Sequence, residues 1–355
     1  MPRGAGAETT LGALALSLAL IAPAQAQIGE MKTFRDWVAA CDNTRNCAAV
    51  SLPDDADDDV AYLRLDRPAG PDGAPTIALK LRRDKLPRTF EIELSLDNTP
   101  FPAAGRRFAL TSNDGETAEV ALAPAEADAL VAGARKATAL TLRRDGRSQK
   151  ISLAGSVAAM LWIDERQGRL NTPSALIRKG TSGSPPPAPR LPRIDMKPAA
   201  GKPLTKEQSA ALVKAMRAEL NRREPDSCEE MSDGSDGAFP LDDSTRLIVV
   251  ACSRGAYNVA SQFWLVPGRD VAKAKPAEFE GSGGRSANEL VNADYDPKTG
   301  RVMFFAKGRG IGDCGSSGSY GWTGTRFAVV ELSSMSECRR IPGDDWITLF
   351  RSAEK

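Results

Sequence analysis

The chain has 355 residues, with 47 lysines and arginines against 46 aspartates and glutamates, and no histidine. The near balance of charge singles out neither a nucleic acid nor an acidic surface as partner, and the missing imidazole excludes Ser-His-Asp and Cys-His catalysis and the usual catalytic zinc sites. A chain this long exceeds what one core ordinarily fills, so two domains are expected.

Arg3 precedes an apolar stretch over residues 11–21, followed by Ala24-Gln25-Ala26. This is the pattern of a secretory signal peptide, residues 1–26, cleaved after Ala26; roughly eleven apolar residues are too few for the twenty or so that span a bilayer. No cysteine directly follows it, which argues against a lipid anchor, and no later run is apolar enough to cross a membrane. The expectation is a soluble periplasmic protein that does not span the membrane.

A first domain, residues 27–180, opens with Phe34, Trp37, Cys41 and Cys47 around the turn residues Asp42-Asn43-Thr44. Strand, turn and strand is the reading. The acidic run Asp54 to Asp59 lacks the glycine and distal glutamate of a helix-loop-helix calcium site, so an exposed acidic loop is favoured. Short runs of period two follow, among them Ile77-Ala78-Leu79-Lys80-Leu81 and Phe90-Glu91-Ile92-Glu93-Leu94, with turn signals such as Asn113-Asp114-Gly115 between them. That pattern predicts an antiparallel sandwich or open barrel, interrupted by a helical composition over residues 125–136. Ser156 is expected to cap a helix over 157–167, with Asp164 and Glu165 on its surface, and Thr172-Pro173 to start a short second helix ended by Gly180.

Residues 181–203 include Pro185-Pro186-Pro187 and read as an extended, mobile linker. The second domain, residues 204–355, opens with the capping box Thr205-Lys206-Glu207-Gln208, and the helix it starts carries Leu212, Val213, Met216 and Leu220 on one stripe. Strand-like runs follow, two of them joined by the turn Asp296-Pro297-Lys298-Thr299-Gly300. The fold class predicted is mainly β with a few helices, built as two antiparallel sheet domains stapled by disulfides.

Six cysteines allow fifteen pairings. Spacing favours Cys41 with Cys47, Cys228 with Cys252 and Cys314 with Cys338, although either member of the short first pair could take a distant partner. A zinc site fits badly, because no close Cys-x-x-Cys pair exists. Neither a metal nor a cofactor is expected.

The densest signal is the stretch from Gly308 to Trp322, with glycine at alternate positions around Cys314. Glycine permits close backbone approach, and a disulfide would fix the loop. No helix start follows it, so the stretch is a structural turn and not a phosphate-binding fingerprint. Arg309, Asp313, Tyr320 and Trp322 are the candidate binding surface, since a fixed loop lowers the ordering cost of binding. The equally good alternative is that Trp322 is core and Arg309 pairs with Asp313 to brace the turn.

The chain resembles a family of bacterial periplasmic proteins of unknown function marked by six cysteines, domain of unknown function family 1176. The matching residues include Phe34-x-Asp36-Trp37 with Cys41 and Cys47, Leu161-Trp162-Ile163-Asp164-Glu165-x-Gln167, and Gly308-Arg309-Gly310-x-Gly312-Asp313-Cys314-Gly315-Ser316-Ser317-Gly318. The N-terminal half is also similar to invasion-associated locus B proteins. The resemblance implies compartment and cysteine framework and carries no activity. The function expected is a non-catalytic envelope protein binding another protein or a surface component; the alternative is a carboxylate-dependent hydrolase, which has no motif behind it.

Overall fold

The computed structural model describes residues 1, 27–54, 59–102, 106–225, 228–229, 236–281, 284 and 286–355. The expected signal peptide, after Met1, and Asp55 to Asp58 of the acidic run lie outside them.

The protein is mainly β, in antiparallel sheets. An eleven-stranded sheet takes up the N-terminal half. In Thr76–Arg82 and Thr89–Leu96, Ile77, Leu79, Leu81, Phe90, Ile92 and Leu94 are buried, while Glu91 and Glu93 between them are exposed. These inward residues meet helices α1 (Pro124–Gly133) and α2 (Ser156–Arg166), whose Leu130, Val131, Met160 and Ile163 complete the core.

Strands Trp37–Cys41 and Cys47–Ser51 differ from the others because every residue in them is buried. Ala39 and Ala49 face the core just described, whereas Val38, Ala40, Ala48 and Val50 point the other way and join Val60 and Tyr62 in a second cluster. The far side of that cluster is C-terminal: Cys314, Met335, Ile341, Trp346 and Ile347. A strand buried on both faces loses its polar alternation.

The C-terminal half holds two five-stranded sheets. One face of each meets the other through Val249, Phe263, Phe279, Val302, Tyr320, Trp322 and Phe327. The outer face of the first sheet carries helix α3 (Lys206–Arg223), and the outer face of the second meets the N-terminal strands. Helix, sheet, sheet, sheet and helices thus stack through the molecule.

Residues 181–203 are extended; Ser182 N–H donates to the Asn171 carbonyl of the N-terminal half, and from Pro192 on the segment is held along the C-terminal half. Arg193–Ile194 pairs in parallel with Ala353–Glu354, and N–H groups of Lys197, Ala199 and Ala200 donate to carbonyls of Trp322, Pro297 and Leu241 at 2.7, 2.9 and 3.1 Å. From Pro192 to Ala200 the segment is a strap, because these backbone groups have found fixed partners.

Three local expectations are corrected. The cap of α2 is Gly155 in the left-handed region at φ 98°, and the Ser156 hydroxyl donates instead to the Leu153 carbonyl. A side chain at Gly155 would run into the Phe34 carbonyl, so glycine is required there. Residues 172–180 form turns and no helix, and Asp164 is buried instead of lying on the helix surface. The two findings have one cause: the Asp164 carboxylate accepts from the N–H groups of Leu176 and Ile177 at 2.8 to 3.1 Å, fixing the turn chain that a helix would have used differently. Two buried guanidiniums lie nearby. Arg169 donates to Gln167 and to the carbonyls of Pro68, Gly70 and Gly73, and Arg67 to the Ser174 carbonyl. Burial, reinforced by Arg169, brings the Arg67 guanidinium down to about 10.

Asp164→Ala removes the single buried acceptor of both loop N–H groups and a charge near two buried cations. Equilibrium denaturation should show a loss of about 3–5 kcal/mol, against near neutrality for exposed Glu165→Ala. Proteolytic nicking of the segment between Gly183 and Pro192 should leave the two halves co-eluting on gel filtration, because the Val38 to Ile347 cluster does not depend on the connection. Elution as separate halves would contradict this packing.

Candidate binding cleft

Helix α3 forms where the sequence places its start. Thr205 Oγ1 accepts from the Gln208 N–H at 3.3 Å, and Gln208 Oε1 accepts from the Thr205 N–H at 3.1 Å, so two donors that a helix start leaves orphaned are satisfied. Its apolar stripe of Leu212, Val213, Met216 and Leu220 packs on Ile248, Val250, Trp264 and Val266. One flank of the helix beside that stripe is open. It forms a wall of a cleft of about 1690 Å³, whose other walls are the strap at Ala199 to Pro203, the edge strand Gly237–Pro240, and the turn at Pro297 and Lys298.

Two rows of α3 side chains face this cleft, each with members four residues apart. The inner row is Thr205, Ser209, Val213, Arg217 and Asn221; the outer is Lys206, Ala210, Lys214 and Ala218. Such rows are the ridges a helix presents to whatever packs on it.

Arg217 ties the walls together. It donates to both carboxylate oxygens of Asp236 at 2.9 Å and to the carbonyls of Glu229 and Ala251 at 2.9 Å. Asp236 also accepts from the Ala251 N–H at 2.9 Å. The Cys228–Cys252 disulfide closes the same corner across 24 residues. By loop entropy it contributes roughly 3.5 kcal/mol. Ser209 reaches the edge strand, where its Oγ accepts from the Ala238 N–H at 2.9 Å.

The electrostatics of the cleft follow from these pairings. Among the described residues of the lining, Asp236 is matched by Arg217 and Glu229 is the other carboxylate. Lys206 and Lys214 make no ion pair with any described residue, and Lys298 stands across the cleft with its own neighbour Asp296. The described residues of the lining therefore carry an excess of ammonium groups. Among the described residues no group of three or more cysteines, aspartates or glutamates is placed to hold a metal ion.

The residues named as a candidate binding surface, Arg309, Asp313, Tyr320 and Trp322, lie outside this cleft, with Trp322 in the core and Arg309 paired with Asp313 as in the alternative reading. Tyr320 and Trp322 alternate inward on strand Gly315–Trp322 and are 0% and 2% exposed. The Tyr320 hydroxyl donates to the Glu280 carbonyl at 2.9 Å, and burial raises its pKa. Asp313 is also buried. It accepts from Arg309 Nε at 2.8 Å and Nη2 at 2.6 Å, and from the Arg340 N–H. Burial works to raise the Asp313 pKa, but these hydrogen bonds outweigh it and the carboxyl titrates below its ordinary range. The disulfides are Cys41–Cys47, Cys228–Cys252 and Cys314–Cys338, and the last holds this loop against the shared cluster between the halves. The loop exposes Ile311, 67% open, and Tyr257, 42% open, donates its hydroxyl to the Gly308 carbonyl of the same loop at 3.2 Å.

The chain matches the family described as "Protein of unknown function (DUF1176)" over residues 31–353. The chain belongs to this family. It is 29% identical over 357 residues to the uncharacterized protein YpfG of Escherichia coli strain K12, with 95% of each chain covered. The crystal structure of invasion associated protein B from Bartonella henselae aligns at a TM-score of 0.29 and 15% identity, covering 39% of this chain and 99% of that one.

In this DUF1176 protein the Asp313 network should be visible as a pH-dependent stability difference. Its folded pKa is depressed, so its contribution is full above the unfolded value of about 3.9 and is lost as pH falls through the folded value. Asp313→Asn should cost about 1–3 kcal/mol in denaturant melts at neutral pH. The gap between variant and native protein should close in strong acid; a gap independent of pH would show that the carboxylate charge is not what braces the loop.

Proposed function

We propose that the protein is a periplasmic, non-catalytic binding protein of the cell envelope, and that its ligand, an envelope protein or surface component, occupies the α3 cleft. The observation that carries this reading is the cleft itself. At about 1690 Å³ it is larger than the roughly 300–1,000 Å³ of ordinary small-molecule sites, which suits a chain-like ligand or a protein segment. Its walls are held by a capping box, a disulfide and the four-way Arg217 hub, so little ordering remains to oppose binding.

The chemistry of the lining supports binding over hydrolysis. Carboxylate-pair hydrolysis needs one carboxyl group able to give a proton and a second able to act as base or nucleophile. Asp236 is occupied by Arg217 and the Ala251 N–H, which leaves Glu229 without such a partner among the described residues of the cleft. Three disulfides favour an oxidising compartment, in keeping with the leader-like residues before Gln27. Among the described residues no helix is long and apolar enough to cross a membrane. In this reading residues 27–180 and 204–355 are two domains, and the segment 181–203 also serves as a cleft wall.

Ala210→Trp fills the cleft from an exposed position of α3, with Ala218→Trp as the second variant should the first misfold. Native protein immobilised and exposed to solubilised envelope should retain components that both folded variants lose, with melting temperatures within a few degrees of native. Identical retention by native and filled protein would move the site elsewhere, and release of soluble fragments from envelope polymer by native protein alone would favour the hydrolase.

A further inference from the structure

We infer that the α3 cleft is built for an acidic amphipathic helix of a partner protein, an inference that rests on the cleft being the binding site. Charge is the first argument. Lys206 and Lys214 lie on the outer row with no ion pair to a described residue, Lys298 faces them, and Arg217 is already matched by Asp236. A ligand bearing carboxylates would neutralise what the protein leaves unmatched, gaining orientation and encounter rate as well as affinity.

The edge of the cleft then selects the ligand's backbone. Strand Gly237–Pro240 is an edge strand of its sheet, where an incoming peptide would ordinarily add as a further strand. Here that route is closed. The outward Ala238 N–H is already given to Ser209 Oγ at 2.9 Å, and Pro240 has no N–H to give. An extended peptide would leave its own backbone groups unmatched against this edge, whereas a helix satisfies its backbone internally and asks only for side-chain contacts.

The helix surface fits that occupant. Along the exposed row Lys206, Ala210, Lys214 and Ala218, short and long side chains alternate, with about 6 Å of axial rise between neighbours. Alanine leaves a notch beside each lysine into which a partner's apolar side chain can drop, as ridges pack into grooves. Lys206 and Lys214 stand about 12 Å apart along the axis, the spacing of carboxylates seven or eight residues apart on a second helix. From Thr205 to Asn221 the wall is about 24 Å long, or roughly four turns of partner.

The test uses the full mature protein and a fluorescein-labelled sixteen-residue peptide of alanine, leucine and glutamate. Its leucines form one stripe and two of its glutamates lie eight residues apart. Fluorescence anisotropy should show saturable, salt-sensitive binding, and circular dichroism should show the peptide gaining helix as it binds. Lys206→Glu with Lys214→Glu should weaken binding roughly tenfold or more, and Ala210→Leu, which fills a notch and keeps both lysines, should also weaken it. Both variants should melt within a few degrees of native protein. Equal binding of the same peptide carrying two central prolines would overturn the helix. So would binding of polyphosphate or of phosphatidylglycerol vesicles that depends on Lys206 and Lys214 while the peptide fails to bind; the cleft would then remain a binding site of a different ligand class. If none of these probes binds and the filled variants retain the same envelope components as native protein, both the inference and the cleft reading fall.

Discussion

The structure depends on a two-strand layer of small residues that two cores share. Trp37–Cys41 and Cys47–Ser51 turn Ala39 and Ala49 to one core and Val38, Ala40, Ala48 and Val50 to the other, with Trp37 the one large side chain among them, and these small side chains let sheets approach closely from both sides. The Cys41–Cys47 disulfide joins the two strands at their turn, at paired positions of the ladder. That turn also reaches across. The Asn43 side-chain amide donates to the Arg351 carbonyl at 3.0 Å and accepts from the Arg351 N–H at 2.9 Å, standing in for a neighbouring strand at the edge of Ile347–Arg351. The Asp42 carboxylate, also held by Thr44 and Asn46, lies against the Arg351 guanidinium.

Buried charge gives this apolar contact its register. Asp345, almost fully buried at the C-terminal side, accepts from the Tyr62 hydroxyl and from Lys80 Nζ at 2.6 Å, while its carbonyl accepts from Arg64 at 2.7 Å. Burial and the nearby carboxylate both push the Tyr62 phenol upward, so it remains a donor throughout the ordinary pH range. Such clusters add little net stability compared with apolar packing, because desolvation offsets most of the attraction. Their effect here is geometric: three side chains of two N-terminal strands converge on one aspartate, and sliding the halves past each other would strand a buried carboxylate. On the C-terminal side Phe305 stacks on Trp346 at 5.0 Å, bracing the wall of the cluster that the N-terminal strands meet.

Much of this was legible in the sequence, and the failures have identifiable causes. Period-two alternation disclosed the N-terminal strands, and the Thr205 to Gln208 capping box disclosed the start of α3, because both depend on residues close in sequence. Asp164 was misread because the donors that bury it, Leu176 and Ile177, lie in a turn with no pattern of its own. Tyr320 and Trp322 had a usable signal: two residues apart in a strand, they share a face, and pairs of aromatics on one face belong to a core more often than to a surface. The cleft was invisible as a whole, since strap, helix, edge strand and the Pro297 turn meet there from distant positions. Its helix row was not; the four-residue spacing of Lys206, Ala210, Lys214 and Ala218 lay beside the apolar stripe and was passed over for the stripe.

The same spacing explains why α3 can leave a flank uncovered. An isolated helix of 18 residues is marginal in water, and this one buries a single stripe. It is fixed instead at both ends and in the middle. The capping box and the strap hold its start, where Ala200 N–H meets the Leu241 carbonyl, and Arg217 bridges its centre to Asp236 and Ala251. At its end Arg223 donates to the Ala272 carbonyl at 2.9 Å and lies over the Trp264 ring. Anchored in this way, the helix does not need a partner in order to exist. The open flank is therefore a formed surface in the unbound protein, and a partner that docks there meets a wall whose conformational entropy has already been lost on folding.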